Sequence, residues 1–78
     1  MKLPRDLSGV GLINILCREF GYRRVHQVGS HVILETEKPH HRIAIPDHHP
    51  LRVGTLSSIL RAVAAAQNID KKEIARFL

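Results

Sequence analysis

The chain has 78 residues, 44% of them hydrophobic, and a formal net charge of +5 with its histidines neutral. A domain of this size buries only about 60% of the surface its unfolded chain exposes, so it is poorly suited to an enzyme that holds a large cofactor in a deep pocket. The surplus of Lys and Arg selects polyanionic partners such as nucleic acid or an acidic protein, and no apolar run approaches the length of about 18 residues that would mark a membrane span.

Residues 1–78 suit one domain. Met1-Lys2-Leu3-Pro4-Arg5-Asp6 opens without the basic and then apolar pattern of a secretory signal, so the expected location is the cytoplasm. Cys17 is the single cysteine, which excludes an intrachain disulfide and fits a small apolar core residue.

In chain order, the first periodic segment follows Leu7-Ser8. Ser8 can cap a helix, and Val10, Ile13, Leu16, Cys17 and Phe20 recur at helical spacing, with Leu12 and Ile15 widening the apolar face. The pattern predicts a helix over residues 8–20, ended by Gly21 in a left-handed conformation. Residues 22–28 then read as a strand, broken by a turn at Gly29-Ser30. Residues 31–36 are β-branched and apolar. As a strand they put Val32, Leu34 and Thr36 on one face and His31, Ile33 and Glu35 on the other. Residues 37–41 read as a loop, and Arg42-Ile43-Ala44-Ile45 as a third strand ending at Pro46. Short connections between consecutive strands predict an antiparallel meander.

Residues 47–54 are polar and loop-like. Thr55 is the expected cap of a second helix, in which Leu56, Ile59, Leu60, Val63 and Ala64 form the apolar stripe and Asn68 closes the end. Asp70-Lys71-Lys72-Glu73 resembles a capping box for a short last helix carrying Ile74, Phe77 and Leu78. The order α-β-β-β-α predicts an α+β fold: a three-stranded antiparallel sheet with both long helices on one face, and a short C-terminal helix. This is the layout of the double-stranded-RNA-binding domain. Val32, Leu34, Ile43, Ile45, Ile59 and Leu60 are the expected core.

His31 stands out as a candidate for chemistry. It follows the Gly29-Ser30 turn, with Arg23 and Arg24 upstream. An imidazole titrates near neutral pH and can take or give a proton without large tuning. RNA brings its own nucleophile, the 2′-hydroxyl, so a ribonuclease needs only proton transfer and stabilisation of phosphate charge by nearby cations and turn N–H groups. The plain alternative is an exposed strand histidine beside a turn. His40-His41 and His48-His49 bracket the third strand, but neither pair has the spacing of a zinc site, so solvated loop histidines are expected and no metal. Only Phe20, Tyr22 and Phe77 are aromatic, which disfavours RNA binding by base stacking. A phosphate-cradling Gly-rich loop is also missing: Gly9 and Gly11 lack a preceding strand and the P-loop Lys.

Several segments in order resemble the HicA (YcfA-like) family of messenger-RNA interferase toxins. They are Phe20-Gly21-Tyr22, then Gly29-Ser30-His31, then Ile45-Pro46-Asp47-His48, then Leu51-Arg52-Val53-Gly54-Thr55-Leu56 before Ile59-Leu60, and a tail from Asn68 to Ile74. The resemblance implies cleavage of messenger RNA by a metal-independent endoribonuclease that uses no cofactor, with His31 as its catalytic residue. It implies neutralisation by a HicB-type antitoxin over the active face, in a complex that could extend to a higher-order toxin–antitoxin assembly. Gly29, Ser30, Arg23, Arg24 and His48 are the expected RNA-binding or supporting residues, His48 in a structural or phosphate-binding role. Pro39-His40-His41-Arg42 departs from the plainer turn of many relatives. Two alternatives stay open on the residues alone: a non-catalytic RNA-binding module of the same fold, and a subunit whose positive charge serves only to meet an acidic protein.

Overall fold

A computed structural model describes residues 2–78. It has α1 at Gly9–Glu19, β1 at Arg23–Val28, β2 at His31–Glu37, β3 at His40–Pro46, α2 at Val53–Gln67 and α3 at Lys71–Ala75. The expected α-β-β-β-α order is present. The strands form one antiparallel sheet in the order β1-β2-β3, so β2 is central.

The Ser8 hydroxyl accepts from the Gly11 N–H at 2.9 Å, which satisfies one of the free donors at the start of α1. Gly21, at φ +77°, lets the chain reverse after the helix, and the Tyr22 N–H donates back to the Leu16 carbonyl. The buried face of α1 is Leu12, Ile13, Ile15 and Leu16. Val10, expected on that face, is exposed. At 3.6 residues per turn it lies about 120° round the helix from Leu16, outside the stripe.

Val32, Leu34 and Thr36 of β2 are buried beneath the helices, as their alternation predicts. They pair with Ile45, Ile43 and His41 of β3, and together with the apolar stripes of α1 and α2 they build the core. Ile43, on the edge strand β3, is only half-buried against the core. Every residue of β1 is exposed. Tyr22, expected at the head of that strand, precedes it and is buried in the core, whereas Val25 and Val28 face solvent. A shift of register between Arg24 and His26 bulges this edge at Val25.

Two boundaries and one cap differ from the sequence expectation. The expected loop at residues 37–41 is mostly strand: Glu37 pairs with His40 and Thr36 with His41, leaving Lys38 and Pro39 as the turn. His41 is held there by a 2.6 Å hydrogen bond to the Tyr22 hydroxyl. Second, α2 starts before Thr55, with Arg52 as an extended N-cap that makes no side-chain capping bond. Leu51 is buried and donates its N–H to the Leu7 carbonyl at 2.8 Å, so the chain is already anchored where the helix begins. Third, the capping box of α3 is half-formed. Asp70 accepts from the Lys72 N–H, but Glu73 turns to Arg76 at 3.2 Å. Asn68, in the left-handed region at φ 57°, closes α2 as expected. Ile74 is buried, and Phe77 meets the ring of Phe20 edge-on at 5.6 Å.

Candidate active site

The site is built where three chain segments meet at one end of the sheet. Gly29, at φ +58°, and Ser30 turn the chain from β1 into β2, and His31 is the first residue of β2. His31 pairs across the sheet with Pro46, the last residue of β3. The Asp47 N–H donates to the Ser30 carbonyl at 2.6 Å, which fastens the loop after β3 to the turn before β2. The Gly9 N–H donates to the His48 carbonyl at 2.8 Å. Gly9 is required for that approach, because a Cβ there would fall on the Pro46 carbonyl oxygen.

These contacts bring His31 and His48 to the wall of one open pocket of about 430 Å³. Pro46, Pro50, Leu51, Arg52 and Thr55 complete its lining. No carboxylate is among the lining residues, so the Arg52 charge stands unopposed there. The first turn of α2 opens on the same pocket, and its leading N–H groups have no side-chain cap. A 15-residue helix contributes a partial positive charge at this end, so guanidinium and helix terminus act in the same sense, favouring an anion such as phosphate.

The other expected residues lie elsewhere. Arg23 pairs with Glu35, four residues along β2 from His31, which is about 13 Å at the usual rise of a strand. Its guanidinium is taken up by Glu37 at 2.9 Å and Glu35 at 3.7 Å, and His40 approaches Glu35 at 3.5 Å. Arg24 lies beside α1, where its charge partly offsets the upward push of burial on the Cys17 thiol. Neither arginine joins His31. The histidine pairs are also kept apart: His40 begins β3, while His48 lies beyond its end. Among the described residues, no cluster of three or more His, Cys, Asp or Glu is arranged to hold a metal ion.

Arg52 and Thr55 were overlooked as site residues by sequence reasoning. Their signal was present in Leu51-Arg52-Val53-Gly54-Thr55, but the expected cap at Thr55 put Arg52 in a loop.

A family model described as the HicA toxin of bacterial toxin–antitoxin systems matches residues 12–64. The chain belongs to the HicA toxin family. The matched stretch runs from α1 through most of α2, so it contains His31, His48, Arg52 and Thr55. No curated protein and no solved structure matches the chain. Membership of a toxin–antitoxin family implies an antitoxin as partner, and among the described residues no helix is long and apolar enough to cross a membrane.

Proposed function

We propose that this HicA-family chain is an endoribonuclease that cleaves messenger RNA in the cytoplasm without a metal or other cofactor, with His31 as a catalytic residue. The observation that carries this reading is the convergence of His31, Arg52 and the uncapped start of α2 on one carboxylate-free pocket. The 2′-oxygen of a nucleotide attacks the adjacent phosphorus and expels the 5′-oxygen of the next nucleotide, leaving a 2′,3′-cyclic phosphate. His31 exchanges a proton with one of those oxygens. Arg52 and the free N–H groups of α2 oppose the charge that grows on the non-bridging oxygens. Gly29 and Ser30 support His31 through the turn. Arg24 serves as a more distant contact along the RNA backbone, whereas Arg23, taken up by Glu35 and Glu37, contributes little to RNA binding.

The open pocket suits a large substrate, since a polymer needs a surface to lie on and only one phosphate to enter. A HicB-type antitoxin silences the enzyme by covering this same end of the molecule. Net charge complements an acidic partner, and RNA and antitoxin then compete for one surface.

The test is cleavage of a messenger RNA by the purified protein in excess EDTA, with and without the His31 side chain. Cleavage that survives chelation and is lost in His31→Ala, with RNA affinity retained, supports the reading. Equal loss of binding and cleavage would make His31 an RNA contact and the protein a binding module.

A further inference from the structure

His48 is held with more care than an idle loop residue needs. Hydrogen bonds at Asp47, at the His48 carbonyl and at Leu51 pin the backbone on both sides and at the residue itself, and one of them demands glycine at position 9. The side chain is nevertheless exposed, so the fold gains little packing from it. The histidine rings that are tied to side chains of the fold are those of His40 and His41. The His48 ring instead lines the pocket that His31 also lines.

We infer that His48 is the second proton-transfer residue of the cleavage reaction, paired with His31 as base and acid. This inference rests on the ribonuclease reading above and deepens it. The chemistry requires two proton movements. One imidazole, neutral, takes the 2′-hydroxyl proton as the bond from the 2′-oxygen to phosphorus forms. The other, protonated, gives its proton to the 5′-oxygen as the bond from phosphorus to that oxygen breaks. The products are a 2′,3′-cyclic phosphate and a 5′-hydroxyl, and the two rings end with their protonation states exchanged. Proton exchange with water restores them. Without the second ring, the 5′-oxygen would have to leave as a strongly basic alkoxide. Imidazole is the side chain that can supply both states at one pH near neutrality. Attack and departure occur on opposite sides of phosphorus, so the two rings must stand on either side of it. The β1–β2 turn and the β3–α2 loop provide them.

The experiment compares wild type, His31→Ala and His48→Ala on an RNA oligonucleotide with one cleavable linkage. A second substrate carries sulfur in place of the bridging 5′-oxygen at that linkage. A thiolate leaves without being protonated, so the sulfur substrate needs a base but no acid. On ordinary RNA each variant is expected to lose about 10²–10⁴-fold in rate. On the sulfur substrate, one of the two variants is expected to return to within about tenfold of wild type, and the other to stay slow. The wild-type pH–rate profile should be bell-shaped, with a different limb missing in each variant. Melting temperatures identify any loss due to unfolding, and His48→Gln, which keeps most of the side chain's bulk, must behave as His48→Ala does.

Full activity of His48→Ala on ordinary RNA, with His31→Ala inactive, overturns the pairing and leaves the ribonuclease reading intact. So does a slow His48→Ala when the sulfur substrate rescues both variants or neither. A wild type that cleaves neither substrate overturns the ribonuclease reading, and the pairing with it.

Discussion

The two ends of the β1–β2 hairpin use the same residue types to opposite effect. At the far end, Arg23 lies between Glu35 and Glu37, with His40 against Glu35, and the carboxylates take up the arginine's charge. At the turn end, His31 and His48 share a pocket with Arg52, and no acidic side chain reaches its lining. Both ends are accessible to solvent. An exposed ion pair contributes only about 0–1 kcal/mol, so the far end gains little stability from its pairing. What it loses is attraction for phosphate. A site for a polyanion is therefore recognised by cations the fold leaves unpaired, rather than by their number.

The largest contrast is catalytic. His31→Ala should lower the cleavage rate about 10²–10⁴-fold, while Arg23→Ala stays near the wild-type rate. Rates under single-turnover conditions check this, and an Arg23 effect as large as that of His31 would break the comparison.

Next is phosphate binding. Removing a charge-assisted hydrogen bond to phosphate costs about 1.5–3 kcal/mol, so Arg52→Ala should weaken RNA binding roughly 10- to 100-fold. The slope of log affinity against log salt should also fall by about one. Arg23→Ala should leave that slope nearly unchanged. Titrations at several salt concentrations decide between the two arginines.

The third prediction concerns the loop that carries His48. Gly9→Ala places a methyl group on the Pro46 carbonyl oxygen and close to Asp47, so α1 and the loop must separate. Overpacking of this kind typically costs about 1–3 kcal/mol, and each kcal/mol should lower the melting temperature of so small a domain by about 4–8 °C. Cleavage should drop further than the lost stability explains, because His48 moves. Gly54→Ala is the control for melting temperature alone, where no loss is expected, since the Cβ there meets open space.

The smallest effect is on pH. Burial, with the His40 charge beside it, holds His41 below the ordinary imidazole range. The unfolded chain therefore takes up the proton first. Stability contributed by His41 is whole above its unfolded value of about 6.5 and is lost as pH falls through the lower, folded value. In the neutral tautomer with its proton on Nε2, Nδ1 can accept from the Tyr22 hydroxyl, and protonation removes that acceptor. Melting temperatures measured from about pH 7.5 down to about pH 5 should fall for wild type and fall less steeply for His41→Asn. RNA binding at the turn end should not follow this change, because His41 lies at the other end of the sheet.

The sequence by itself determined the local elements. The Ser8 cap, the Gly21 and Asn68 terminations and the alternation of Val32, Leu34 and Thr36 were legible because each depends on neighbours within a few residues. Gly29-Ser30-His31 was legible for the same reason, as a turn entering a strand. Only the tertiary structure decided which polar residues share a site. Arg23 and Arg24 are near His31 in sequence, yet an extended strand carries them away from it by the rise of each residue. His48 and Arg52 are remote in sequence, yet antiparallel pairing returns the end of β3 to the start of β2 and delivers them there. The early start of α2 was hidden as well, since it depends on the long-range bond from Leu51 to Leu7 rather than on any capping residue. Periodicity records which face of an element is apolar; it carries no record of which elements end side by side, and that adjacency is what gathers the charges of this site.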